Sequence, residues 1–120
     1  MKRPWSALLL GGLLSVTGAL HFLTPGSFDQ IVPAVLPAPR LWTYASGAAE
    51  LAVAAAVLAR RTRRRGALAA AVLFVGVFPA NVQHALQAEG TEQVLALLRL
   101  PLQVPLVLWA LQVRRAALRA

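Results

Sequence analysis

The chain has 120 residues, 58% hydrophobic and only 13% charged, with a net charge of +8 and no cysteine. Twelve bases and four acids are a thin covering for a soluble domain of this size, and so apolar a chain is not a disordered one. The absence of cysteine excludes disulfide frameworks, thiol chemistry and cysteine-held metals.

Four apolar segments follow one another, each about 20 residues long, the length a helix needs to cross a hydrocarbon core of roughly 30 Å. The first runs from Trp5 to Leu23. Lys2 and Arg3 before it would suit a signal peptide, but the apolar run is long and no small-x-small cleavage site follows, so a retained span is expected. Thr24-Pro25-Gly26 ends it, and Ser27 with Gln30 reads as a capping box opening a short helix. Phe28, Ile31, Val32, Val35 and Leu36 recur at helical spacing, while Pro33, Pro37 and Pro39 limit its length. A short amphipathic helix covering the bundle as a lid is therefore expected in this first outer loop; an irregular proline-rich loop is the alternative.

The second span is predicted over Leu41–Ala59, the third over Gly66–Leu86 and the fourth over Val94–Val113, with Arg60–Arg65 as a tight turn between the second and third. The segments show no period-two alternation, which argues against a β-barrel, and lipid leaves helices as the remaining way to pair every backbone amide. The predicted fold is all-α: a four-transmembrane-helix bundle, one domain over 1–120.

Charge sets the orientation. The bases fall in blocks: Lys2 and Arg3; Arg60, Arg61, Arg63, Arg64 and Arg65; Arg114, Arg115 and Arg119. Blocks at the ends of apolar runs flank membrane spans rather than line a nucleic-acid face, so no nucleic-acid partner is expected. With both termini cytoplasmic, ten of the twelve bases lie inside, and Asp29, Glu89 and Glu92 lie outside. The expected location is a cell inner membrane, in contact with lipid. Trp5 and Trp109 would mark the inner interface, Trp42 and Tyr44 the outer one.

Polar residues inside the spans mark where function is expected, because each needs a partner where there is no water. Each span carries a pair on one helix face: Thr17 with His21, Ser46 with Glu50, Asn81 with His84, and Arg99 with Gln103. Alternating helix directions put all four pairs in the outer half, where they can converge on one ligand pocket. A lone mid-span charge costs roughly 2.5–3.5 kcal/mol, so Glu50 and Arg99 are expected to pair, with Gln103, Asn81, His21 and His84 completing the hydrogen bonds. The alternative is a network that only fixes helix register. Metal-ligand spacings, a nucleophile turn, phosphate-binding loops and inverted repeats are missing, so no metal site, stand-alone enzyme or transporter is expected. Pro79, Pro101 and Pro105 are expected to mark local helix breaks. Gly11, Ser15 and Ala19, and Ala48, Ala52 and Ala56, would allow close packing.

In order along the chain, His21-Phe22, Pro25, Phe28, Ile31-Val32-Pro33 and Leu36-Pro37 resemble the DoxX-like family of small membrane proteins. Ser46-Gly47 with Glu50, Val77-Phe78-Pro79-Ala80-Asn81 and Arg99-Leu100-Pro101-Leu102-Gln103 carry the same resemblance. It implies a four-helix membrane bundle, with His21, Glu50, Asn81, Arg99 and Gln103 as the matching residues. It also implies a link to redox complexes in bacteria; a distantly related animal branch acts as a membrane chaperone. Lacking cysteine, the chain would take part by binding a quinone or docking a redox-enzyme partner. Two expectations follow: an accessory membrane subunit with a quinone-type headgroup in the pocket of His21, Glu50, Asn81, His84, Arg99 and Gln103, or an assembly protein in which those residues hold the bundle together beside another membrane protein.

Overall fold

The computed structural model describes residues 4–119 and holds, in chain order, α1 (Trp5–Leu23), α2 (Pro25–Asp29), α3 (Pro39–Leu58), α4 (Arg63–Gly76), α5 (Phe78–Gln87) and α6 (Gly90–Leu118). Among the described residues there is no strand. Proline, with φ fixed and no N–H to lose, opens α2, α3 and α5. Four stretches are long and apolar enough to cross a membrane: α1, α3, α4 with α5, and α6. The long axis of 48 Å suits a bilayer of roughly 40–45 Å with its headgroups. The chain is thus the expected all-α bundle, a multi-pass membrane protein. No more than 28% of any span's most apolar stretch is buried within the protein, which leaves side chains such as Leu9, Val16, Val72, Leu98 and Val104 for lipid.

The third span breaks at Val77, where Pro79 cannot donate to the Val75 carbonyl. Pro101 and Pro105 do not break α6, contrary to expectation: the helix continues through both for 29 residues. It also starts and ends beyond the predicted fourth span.

Helix α1 packs on α3, α3 on α4, and both α4 and α5 on α6, while α6 meets α1 over a short stretch. Helices α3 and α6 therefore lie on a diagonal. The core formed by Leu10, Leu14, Val57, Ala67, Ala70, Phe74, Ala110 and Val113 sits toward the end that carries Arg60–Arg65 and Arg114–Arg119, here called the basic end. Trp109 is partly buried at this end; its Nε1 donates to Ser6 Oγ at 2.9 Å, and Ser6 donates to Gln112 Oε1 at 2.8 Å. Lys2 and Arg3 lie outside the described residues. At the opposite end the bundle divides: α1, α2 and α3 form one group, α5 and α6 the other.

Lipid gives helices no hydrophobic reason to associate, so close approach must supply the attraction. Glycine provides it at the α1–α3 seam, where Leu58 sits over Gly11 and Leu51 over Gly18. At the α3–α4 turn, a methyl on Gly66 would lie 2.6 Å from the Ala56 carbonyl carbon. The expected alanine stripe of α3 is not the seam, since Ala48 and Ala52 are exposed. Thr62 Oγ1 donates to the Ala56 carbonyl at 2.8 Å, and Arg63 donates to Val57 at 2.8 Å and Leu58 at 2.9 Å, so the last carbonyls of α3 are satisfied.

Candidate functional site: a closed polar seam and an open polar face

Gly47 lets α1 approach α3 so closely that a methyl there would stand 2.6 Å from His21 Cβ. One turn on, Glu50 is turned into the same seam. It is hydrogen-bonded by the Thr17 hydroxyl and lies 3.5 Å from His21 Nδ1 through its Oε2. His21 Nδ1 is also 2.7 Å from the Thr17 carbonyl. A carbonyl can only accept, so in this contact Nδ1 is the donor. The side chains of His21 and Glu50 are 11% and 15% exposed.

Helix α2 covers this pair: the Phe28 ring stacks on His21 at 3.8 Å with 20° between the planes. Asp29 fixes the cover, accepting from Thr43 Oγ1 at 2.6 Å and Arg40 Nε at 2.9 Å. The Thr43 hydrogen bond, with the Arg40 guanidinium adding to it, holds the Asp29 carboxyl below its usual range, against a smaller opposing effect of desolvation. Phe22 and Tyr44 stack beside it at 5.2 Å. The expected lid is present but shorter than its hydrophobic pattern suggested. It begins at Pro25 rather than after Ser27, has no side-chain cap, and ends at Asp29. The proline-rich remainder follows as turns, with Ile31 N–H on Phe28 and Leu36 N–H on Pro33.

The expected Glu50–Arg99 ion pair does not form. Among the described residues Glu50 is within reach of His21 at 3.5 Å, and Arg40 forms an ion pair with Asp29. The reason lies in packing: Gly18 and Gly47 turn the Glu50 face of α3 onto α1, whereas Arg99 stands on the diagonal helix. The pocket drawn from all four polar pairs therefore resolves into two sets. His21 and Glu50 come together with Thr17. Asn81 and His84 are partly buried on α5, which Gln93 Nε2 ties to α6 by a 3.2 Å hydrogen bond to the Ala85 carbonyl. Arg99 and Gln103 stand one turn apart on α6. No hydrogen bond or ion pair among the described residues links the two sets.

The second set is incomplete in itself. Arg99 is exposed, about 14 Å along α6 from Gly90, and among the described residues it has no acid within salt-bridge distance. Gln103 Oε1 is buried without a hydrogen-bond partner. Among the described residues no group of three histidines or acids could hold a metal ion. Two parts of the closed seam escaped the sequence reading. Helical spacing puts Thr17 with His21 on one face, but it is the glycines of the two facing helices that bring Glu50 to them. Asp29 reads in the sequence only as an outer-loop acid, although the opposite charge of Arg40 across a proline-rich turn is a usable signal.

No curated protein and no solved structure matches the chain. One family model does, from the second turn of α1 to the last turns of α6, and it takes in both polar sets. The chain belongs to the family described as Domain of unknown function (DUF8561), matched over residues 10–114.

Proposed function

We propose that the chain is an accessory, non-catalytic subunit of a bacterial inner membrane, DoxX-like in kind, with both termini cytoplasmic, and that it supports a quinone-linked redox enzyme. One observation carries this reading: the exposed Arg99 guanidinium inside a span, without an acid among the described residues, beside the orphaned Oε1 of Gln103. Arginine keeps its charge in proteins, and a charge at that depth needs a group brought from outside the chain. A quinone headgroup fits. Its carbonyl accepts from the guanidinium, and the hydroxyl of the reduced form donates to the amide oxygen. His84 and Asn81, on the helix packed against α6, supply further donors, while His21 and Glu50 hold the opposite group of helices. The redox chemistry belongs to the partner and its quinone; this chain's residues bind and orient.

A second reading, an assembly protein, is favoured by the Thr17–His21–Glu50 seam, where the contacts of Glu50 run to α1 within the chain. Binding of a short-chain ubiquinone analogue to the purified native chain, Arg99→Gln and Glu50→Gln separates the two. The redox reading expects Arg99→Gln to lose about tenfold in affinity while remaining folded, the cost of one charged hydrogen bond. Equal affinity in native chain and Arg99→Gln, or none in either, leaves the assembly reading.

A further inference from the structure

An open apolar groove runs along the membrane-facing side of the α3–α4 contact, lined by Val53, Arg65, Leu68, Ala69, Val72 and Leu73. From Arg65 to Leu73 it follows α4 for about 12 Å. Only one of these residues is charged, and it sits at the basic end. There Arg63 is already committed to the carbonyls of Val57 and Leu58, whereas Arg60, Arg61 and Arg64 are exposed. The four acids, Asp29, Glu50, Glu89 and Glu92, are all elsewhere in the chain. A second groove, between α4 and α6, is lined by Ala71, Val72, Val75, Gly76, Val107 and Leu111 and has nothing to hold a headgroup.

We infer that the α3–α4 groove is a binding site for an anionic phospholipid, its acyl chain along Leu68, Ala69 and Val72 and its phosphate on Arg65. Charge complementarity selects the occupant. A phosphodiester with no cation of its own meets an arginine cluster without a competing acid; a zwitterionic headgroup brings a cation into that cluster. A second copy lying alongside in the same membrane would bring its own arginines against these. Basic sites between membrane helices that take anionic headgroups have this construction. The inference does not depend on the redox reading.

The test uses the full chain, delipidated in neutral detergent. Thermal unfolding and native mass spectrometry are recorded with phosphatidylglycerol, with phosphatidylcholine and with inorganic phosphate. The expected result is saturable retention of one phosphatidylglycerol with a raised Tm, and no comparable shift from the other two. Arg65→Gln should weaken that retention about fivefold, one basic contact's worth, and Arg64→Gln much less. Ala69→Phe, which fills the groove while leaving every charge in place, should abolish the retained lipid. Equal shifts from phosphatidylglycerol and phosphatidylcholine overturn the site, as does an equal shift from free phosphate. So do equal losses in Arg64→Gln and Arg65→Gln, or full retention in Ala69→Phe. Should Arg65→Gln fail to fold, the lipid comparison on the native chain and the Ala69→Phe variant decide the matter.

Discussion

The α1–α3 seam and the α5–α6 pair both carry polar side chains inside membrane spans, and they treat them in opposite ways. In the seam, glycines bring two helices together until Thr17, His21 and Glu50 satisfy one another beneath Phe28. On the other side, Arg99 is exposed and Gln103 Oε1 unmatched, on a helix whose prolines remove two backbone donors. A polar group that is satisfied internally builds the protein; one that is not satisfied points to something the protein meets. If the proposed function holds, the first region governs stability and the second binding, and mutations should separate along that line.

The largest effect should come from spoiling the close approach. Gly47→Ala drives a methyl against His21 and Phe22 and should cost about 3 kcal/mol of unfolding free energy in mixed micelles. Gly66→Ala, which meets α3 backbone, should cost as much or more. Gly76→Ala, with open space around it, should cost nothing, and a loss equal to that of Gly47→Ala would break the comparison.

Next come the seam's own bonds. Thr17→Val should cost about 1 kcal/mol, the usual worth of a hydrogen bond between membrane helices. Arg99→Leu should cost no stability, because it removes a charge that has no acidic partner among the described residues. A clear destabilisation would show that Arg99 is used within the fold.

A smaller, pH-dependent effect belongs to the cover. Asp29 is held below its ordinary value of 3.8, so its contribution is complete above that value and is lost as pH falls through the lowered one. Protection of residues 25–38, measured as exchange relative to the unfolded chain at each pH, should fall in that acidic window and stay constant between pH 5 and 7 (roughly the range above carboxylate titration). Asp29→Asn should remove the dependence. The smallest change is a gain. Ala38 sits at φ 52°, a left-handed conformation that disfavours a side chain, so Ala38→Gly should stabilise the loop by about 1 kcal/mol or less.

The fold was legible because length, apolar runs and arginine blocks are one-dimensional properties, and a bilayer converts them directly into spans. The site was only half legible. Cost alone suggested that Glu50 and Arg99 should pair, but hydropathy does not encode which helices are neighbours. That follows from Gly18 and Gly47, single residues whose meaning depends on the partner they face. The lid showed the same limit: Phe28 and Asp29 were visible as a greasy residue and a loop acid, while their stacking and clamping depended on where α3 begins.

A double-mutant cycle on unfolding free energy tests the central claim most directly. Thr17→Val with Glu50→Gln should show a coupling of about 0.6–1.7 kcal/mol, whereas Glu50→Gln with Arg99→Gln should be additive within about 0.5 kcal/mol. Coupling of about 1 kcal/mol or more between Glu50 and Arg99, with Thr17 and Glu50 additive, would contradict the account.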